Sequence, residues 1–136
     1  MFRFLAAIVF CLSSLPAAAD EVFSTYADYE AFVDTKIKNR EFSNVISRLG
    51  GADEYTPQQM QVLQGQLRDR VPYYLTNADV AKRVELENGF AQEMRIYWND
   101  KNSYLYYYAL LHQRDDGVMV LQFSINTSPE PILARF

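Results

Sequence analysis

Between Leu105 and Phe123 the stretch "LYYYALLHQRDDGVMVLQF" holds three consecutive tyrosines, the chain's single histidine and an acidic pair followed by glycine. His112 titrates near neutral pH and could serve as a general base. Asp115 and Asp116, with Asp100 on another loop, could hold a divalent cation. Tyr97, Tyr104, Tyr106 and Tyr108 could stack against a sugar or a base. Each has a plainer reading. No carboxylate is placed to orient His112, so a structural or interface histidine is expected. "DDG" is the residue set a tight turn selects, and its spacing does not match a calcium loop, so neither a metal nor a cofactor is expected. The chain's formal net charge of −4 argues against nucleic acid as the partner of the tyrosines. Aromatic residues ringed by Arg95, Glu93 and Gln122 have the composition of a protein interface.

These residues need elements to position them, and the chain supplies two kinds. The first nineteen residues read as a secretory signal peptide: Arg3, an apolar run from Phe4 to Leu15, then Pro16 and Ala17 to Ala19 as a small-residue cleavage site. The run is shorter than the roughly 20 residues of a membrane span. Cleavage before Asp20 removes Cys11, the only cysteine, so residues 20–136 form one domain without disulfide or thiol chemistry. An alanine-rich export signal and no remaining cysteine point to a bacterial periplasm.

Residues 20–136 divide into a helical half and a strand half. A first helix is predicted to start at Ser24 or Thr25, with Val22, Tyr26, Tyr29, Val33 and Ile37 at helical spacing. A second covers Phe42, Val45, Ile46 and Leu49 and ends at Gly50-Gly51. A third begins at Thr56-Pro57 with Gln59 completing a capping box. It presents Met60, Leu63, Leu67 and Val71 on one face and stops at Pro72. From Lys82 the period changes to two. Four strands are predicted at 82–87, 90–98, 103–114 and 118–126, joined by short turns into an antiparallel meander.

Loop lengths set the register, and a one-residue slip exchanges the two faces. Three loops are expected: Glu87–Gly89, Asn99–Asn102 and Asp115–Gly117. They place Val84, Leu86, Phe90, Met94, Ile96 and Trp98 on the helix-covered face. Leu105, Tyr107, Ala109, Leu111, Met119, Leu121, Phe123 and Ile125 join them. The opposite face then carries Glu93, Arg95, Tyr97, Tyr104, Tyr106, Tyr108, Leu110 and His112. The predicted fold is α+β, three N-terminal helices packed on one face of a four-stranded antiparallel meander. The tail "PILARF" reads as a docked or frayed end, since four strands cannot close a membrane barrel.

Helices followed by "VELENGF", "MRIYW", "YLYYYALLH" and "VMVLQFSIN" resemble the NTF2-like (cystatin-like cone) superfamily over residues 24–126. The resemblance implies a cone-shaped pocket between helices and sheet, and a dimer through the outer sheet face. Its isomerases and dehydratases carry an acid or a His–Asp pair inside the pocket, a constellation that the expected inner face lacks. The expected function is therefore a non-catalytic binding module. Its partner would be another protein, a second copy or a small apolar ligand. The interface candidates are Tyr97, Tyr104, Tyr106, Tyr108, His112 and Arg95. The alternative is an enzyme with a pocket between helices and sheet, drawing on Asp28, Glu30, Asp34 or Tyr73.

Overall fold

The computed structural model describes residues 22–136. The expected signal peptide and cleavage site, with Cys11, Asp20 and Glu21, lie outside the described residues. The described chain is α+β. Strand β1 (Val22–Phe23) leads into α1 (Tyr26–Lys38), α2 (Phe42–Ile46) and α3 (Pro57–Arg70). Strands β2 (Asn77–Glu85), β3 (Phe90–Trp98), β4 (Tyr104–Arg114) and β5 (Gly117–Asn126) follow, and α4 (Glu130–Leu133) comes last. The antiparallel sheet has the order β1-β5-β4-β3-β2.

The helix starts are where local chemistry puts them. The Asp28 amide donates to the Thr25 hydroxyl at 3.1 Å, capping α1. In α3 the Gln59 amide donates to the Thr56 hydroxyl while the Gln59 side chain accepts from the Thr56 amide, a complete capping box. Helix α2 runs into a wide turn over Ser47–Gly51, where Gly50 takes φ of 104° and ends the segment. The buried faces of α1 (Tyr29, Val33, Ile37) and α2 (Phe42, Val45) pack on Tyr97, Leu105, Tyr107, Ala109, Leu111, Val118 and Val120 of the sheet. Helix α3 buries none of its own residues; Leu67 leans on the core and Val71, just past its end, is fully buried.

The meander differs from expectation in four places. The sheet gains β1, whose Val22 and Phe23 pair with Met119 and Val118 on the edge of β5. Strand β2 begins at Asn77, ahead of the predicted start at Lys82, and bulges between Val80 and Lys82. The β3–β4 loop spans Asn99–Ser103, one residue longer than expected. The Asn99 side chain accepts from the amides of Lys101 and Ser103 and so props the loop open. The β4–β5 turn is the two residues Asp115-Asp116, one shorter, with Arg114 paired to Gly117.

The loop lengths reassign faces. The Glu87–Gly89 loop is as expected, with Val84 opposite Gln92. The wider β3–β4 loop sets Arg95 opposite Tyr107 and Met94 opposite Tyr108. Tyr107 points to the helices, so Arg95, Tyr97 and Glu93 do too, and the expected outward placement of all three is corrected. Val84, Leu86, Phe90, Met94, Ile96 and Trp98 are on the outer face, not the helix face. In β5, Val118 and Val120 face the helices in place of Met119 and Leu121. A bulge opposite Leu110 and Leu111 then restores the expected pairs Ala109–Phe123 and Tyr107–Ile125. For β4 the expected faces stand: Leu105, Tyr107, Ala109 and Leu111 inward, Tyr106 and Tyr108 outward.

The outer face has its own cover. Met94, Tyr108 and Ile132 form a second buried cluster, with Ile96, Tyr106, Leu110 and Phe136 packed around it. The C-terminal tail is docked, and the sheet is a layer covered on both sides. Among the described residues no helix is long and apolar enough to cross a membrane.

Candidate functional site

Two groups of residues could carry function, one on each side of the sheet. The inner group is a polar network between α1 and β3. Glu93 is fully buried and Arg95 is 2 % exposed. Each oxygen of Glu93 accepts a phenol at 2.8 Å, Oε1 from Tyr29 and Oε2 from Tyr26. Arg83 reaches Oε2 at 3.1 Å and Arg95 reaches Oε1 at 3.5 Å. The Arg95 guanidinium forks onto both oxygens of Asp34 at 3.1 and 2.9 Å and also reaches Glu30 at 3.0 Å. The Tyr97 hydroxyl donates to Asp34 at 2.7 Å. Tyr29 and Tyr107 hydroxyls are 2.9 Å apart. A carboxylate only accepts, so Tyr29 must give its one proton to Glu93, and Tyr107 therefore donates to Tyr29.

Helix periodicity explains why α1 can serve this network. Tyr26, Glu30 and Asp34 are spaced by four, and Tyr29 lies beside Tyr26, so one stripe of α1 presents two acids and two phenols to β3. On β3, Glu93, Arg95 and Tyr97 alternate onto one face. Burying a charge is costly unless it is paired and hydrogen-bonded, and here both conditions hold. Among the described buried polar atoms, Arg40 Nε and Arg48 Nη1 lack partners, and neither belongs to the network.

Ionisation follows from these surroundings. Burial, then the charge of Glu93, pushes the Tyr26 phenol up to about 12. Burial is also the first cause that lifts Tyr29, Tyr97 and Tyr107 well above the ordinary tyrosine range. For Arg95, burial alone pulls the value down, but Tyr97, Asp34 and Glu93 outweigh it and hold the cation above its ordinary value. The four phenols and the Arg95 cation are thus held in their protonated forms. An acid–base role would require a substrate to replace Tyr26 or Tyr29 on the carboxylate. The cleft of about 230 Å³ between α3 and β5 is lined by Gln66, Leu67, Arg70, Ile125, Asn126 and Thr127, which are not network residues. A groove along α3 is lined by Tyr55, Gln58, Gln59, Val62, Leu63 and Gln66, again apart from it.

The outer group is aromatic. Trp98 pairs with Tyr104, Ile96 with Tyr106, Met94 with Tyr108 and Phe90 with His112, and residues paired across antiparallel strands share a face. Tyr108 is 3 % exposed because the tail covers it, with Phe136 packed edge-on at 5.5 Å between ring centres. At one end of this face Tyr104 is 47 % exposed, with Tyr106 half-buried beside it. At the other end the His112 ring lies flat on Phe90 at 3.9 Å, and Nε2 is 3.2 Å from the Asn88 carbonyl oxygen.

Of the six interface candidates, the outer face brings together Tyr104, Tyr106, Tyr108 and His112. Arg95 and Tyr97 are taken inward. Of the residues considered for an enzyme, Glu30 and Asp34 meet on Arg95. Asp28 is at the α1 cap, and Tyr73 is exposed with Lys101 over its ring at 5.0 Å. Asp116 of the acidic turn is bound by Arg114, whose hydrogen bond lowers its pKa. The residues missed from sequence were Glu93 as a buried group, Tyr26 and Tyr29 as its donors, and Ile132 and Phe136 as the outer cover. One signal was present: β4 carries large residues at both odd and even positions, Leu105, Tyr107 and Leu111 on one side and Tyr106, Tyr108 and Leu110 on the other, which a sheet bare on one side does not need.

No family model matches the chain, and no curated protein or solved structure matches it.

Proposed function

We propose that this protein is an exported, non-catalytic binding module that engages a protein partner through the outer face of its sheet. The observation that carries the reading is the exposed aromatic end of that face. Tyr104 is about half exposed in a row with Trp98, Ile96 and Tyr106, on strands whose backbones are paired, Trp98 with Tyr104 and Ile96 with Tyr106. Aromatic side chains on such a scaffold bury much area for little lost freedom, the property of interface anchors. The export reading rests on residues 1–19, and periplasmic fractionation of the full-length chain tests it. The NTF2-like assignment is carried as part of this proposal. Helices before a meander support it, and the binding surface it implies is the same outer face. The isomerase or dehydratase alternative asks Glu93 to give up a phenol, and nothing in the geometry favours that.

The test is a photo-crosslinking amino acid placed at Tyr104 of the full chain in its own cells, with a second placed at Gln61 on exposed α3. A discrete adduct from the Tyr104 position, lost when Tyr106 is also changed to serine, is the expected result. Equal or absent adducts at both positions would reject the outer face as the binding surface.

A further inference from the structure

The C-terminal tail holds the outer face at two points. Ile132 is completely buried against Met94 and Tyr108. Four residues on, Phe136 meets the Tyr108 ring edge-on and lies under the Lys82 ammonium, 4.6 Å from it. Between them the Gln92 amide bridges tail and sheet: Nε2 donates to the Arg135 carbonyl oxygen at 2.9 Å and to the Tyr108 hydroxyl at 3.0 Å. The rest of the tail faces away, with Leu133 48 % exposed. Helix α4 has no side-chain cap, and its own backbone bonds stay within Pro129–Phe136. One wholly buried side chain and one partly buried ring must offset the ordering of the whole tail, so the contact is shallow.

We propose that the strip of sheet under the tail is a peptide-recognition groove whose resident occupant, the chain's own C-terminus, can be displaced. The seated tail defines what the groove takes. A partner segment needs an aliphatic side chain for the Met94–Tyr108 floor. It needs a phenylalanine four residues later for the edge of Tyr108 and the Lys82 cation. It also needs an accessible carbonyl beside that phenylalanine for Gln92. A single helical turn supplies this spacing. The occupant is such a segment on another protein, and the tail is its intramolecular competitor. The inference rests on the reading of the outer face as a binding surface, and it adds the partner's chemistry and the control of access.

The probe is a labelled synthetic peptide with the sequence of residues 127–136, TSPEPILARF. Three full chains are compared by fluorescence anisotropy: wild type, Ile132→Ser/Phe136→Ser to release the tail, and Gln92→Ala. The released variant should bind the peptide at least tenfold more tightly than wild type. A peptide with both anchors changed to serine should not bind, and Gln92→Ala in the released background should weaken binding. A released variant that keeps the wild-type circular dichroism but binds no better than wild type overturns the proposal. Should that variant fail to fold, hydrogen exchange on the wild-type chain decides. Excess peptide should speed exchange of the Ile132–Phe136 amides alone, and unchanged exchange overturns it. Dimers of the wild-type chain that dissociate on adding peptide would assign the groove to a second copy and overturn the separate partner. Absence of any adduct from the Tyr104 position, alongside intact peptide displacement, would reject the broader reading while leaving the groove standing.

Discussion

The Tyr29 hydroxyl lies 2.8 Å from Oε1 of Glu93, a residue 64 positions away in the chain, and both groups are closed to solvent. This contact joins the first helix to the second strand of the meander. It is one link of a line that runs from Tyr107 through Tyr29 to Glu93, and from Glu93 to Arg95 and Asp34. The helix is held to the sheet by directed polar bonds as well as by apolar packing.

Removing the carboxylate at the centre should therefore be severe. In Glu93→Ala, Arg95 and Arg83 lose a charge partner and two phenols lose their acceptor. Breaking a buried pair from one side costs about 3–5 kcal/mol. Urea unfolding of the variant should show a midpoint lowered to match, with an unchanged slope.

The direction of the bonds predicts unequal costs at its two tyrosines. Tyr107 only donates to Tyr29, so Tyr107→Phe removes one neutral bond, worth about 1 kcal/mol. Tyr29→Phe removes a bond to a carboxylate and leaves the Tyr107 hydroxyl buried without an acceptor, about 3 kcal/mol together. Denaturant unfolding of the two single variants and the double tests this. Equal costs would contradict the assigned donor order.

Alkaline pH should unfold the protein through the same phenols. In the unfolded chain they ionise near their ordinary value of about 10. In the fold Tyr26 rises to about 12, and Tyr29, Tyr97 and Tyr107 are raised as well. Above the ordinary value the folded state keeps protons that the unfolded state has lost. The stabilisation is thus complete below that pH and is lost as pH climbs toward the folded values. Each phenol held protonated in this window lowers unfolding free energy by about 1.4 kcal/mol per pH unit. Ultraviolet absorbance should show Tyr29, Tyr97 and Tyr107 ionising together with the loss of the far-ultraviolet circular dichroism signal.

Two glycines should respond in opposite directions. An added methyl at Gly65, in the exposed middle of α3, meets no atom within 4 Å. Gly65→Ala should stabilise by about 0.5–1 kcal/mol, because alanine loses less backbone freedom. At Gly117, φ is 134° and a Cβ would run into the Phe23 carbonyl where β1 pairs with β5. Gly117→Ala should lower the melting temperature and detach β1, read by faster exchange of the Phe23 amide.

What was legible in advance was local. Thr56, Pro57 and Gln59 mark the start of α3 because a capping box is built from groups three residues apart. The α1 cap, Gly50 and the alternation of β4 are of the same kind. Glu93 and Arg95 are expected outside because a four-residue Asn99–Asn102 loop sets Met94 opposite Tyr107, and nothing near them in the chain hints at a buried partner. What brings them inside is Asp34, Glu30, Tyr26 and Tyr29, more than sixty residues earlier. Their face was set by one extra residue in the Asn99–Ser103 loop, held by hydrogen bonds from backbone amides to the Asn99 side chain. The same shift turned Met94 and Ile96 outward, where they needed the tail as a cover.

The sequence by itself determined the α+β class, the helix starts and the outward and inward turns of Tyr106, Tyr107 and Tyr108, since those depend on neighbours within a few residues. Only the tertiary structure decided which side of β3 is buried, what Glu93 bonds to and where the tail lies. Those outcomes depend on pairings between distant segments, and a one-residue change in loop length reverses a whole strand.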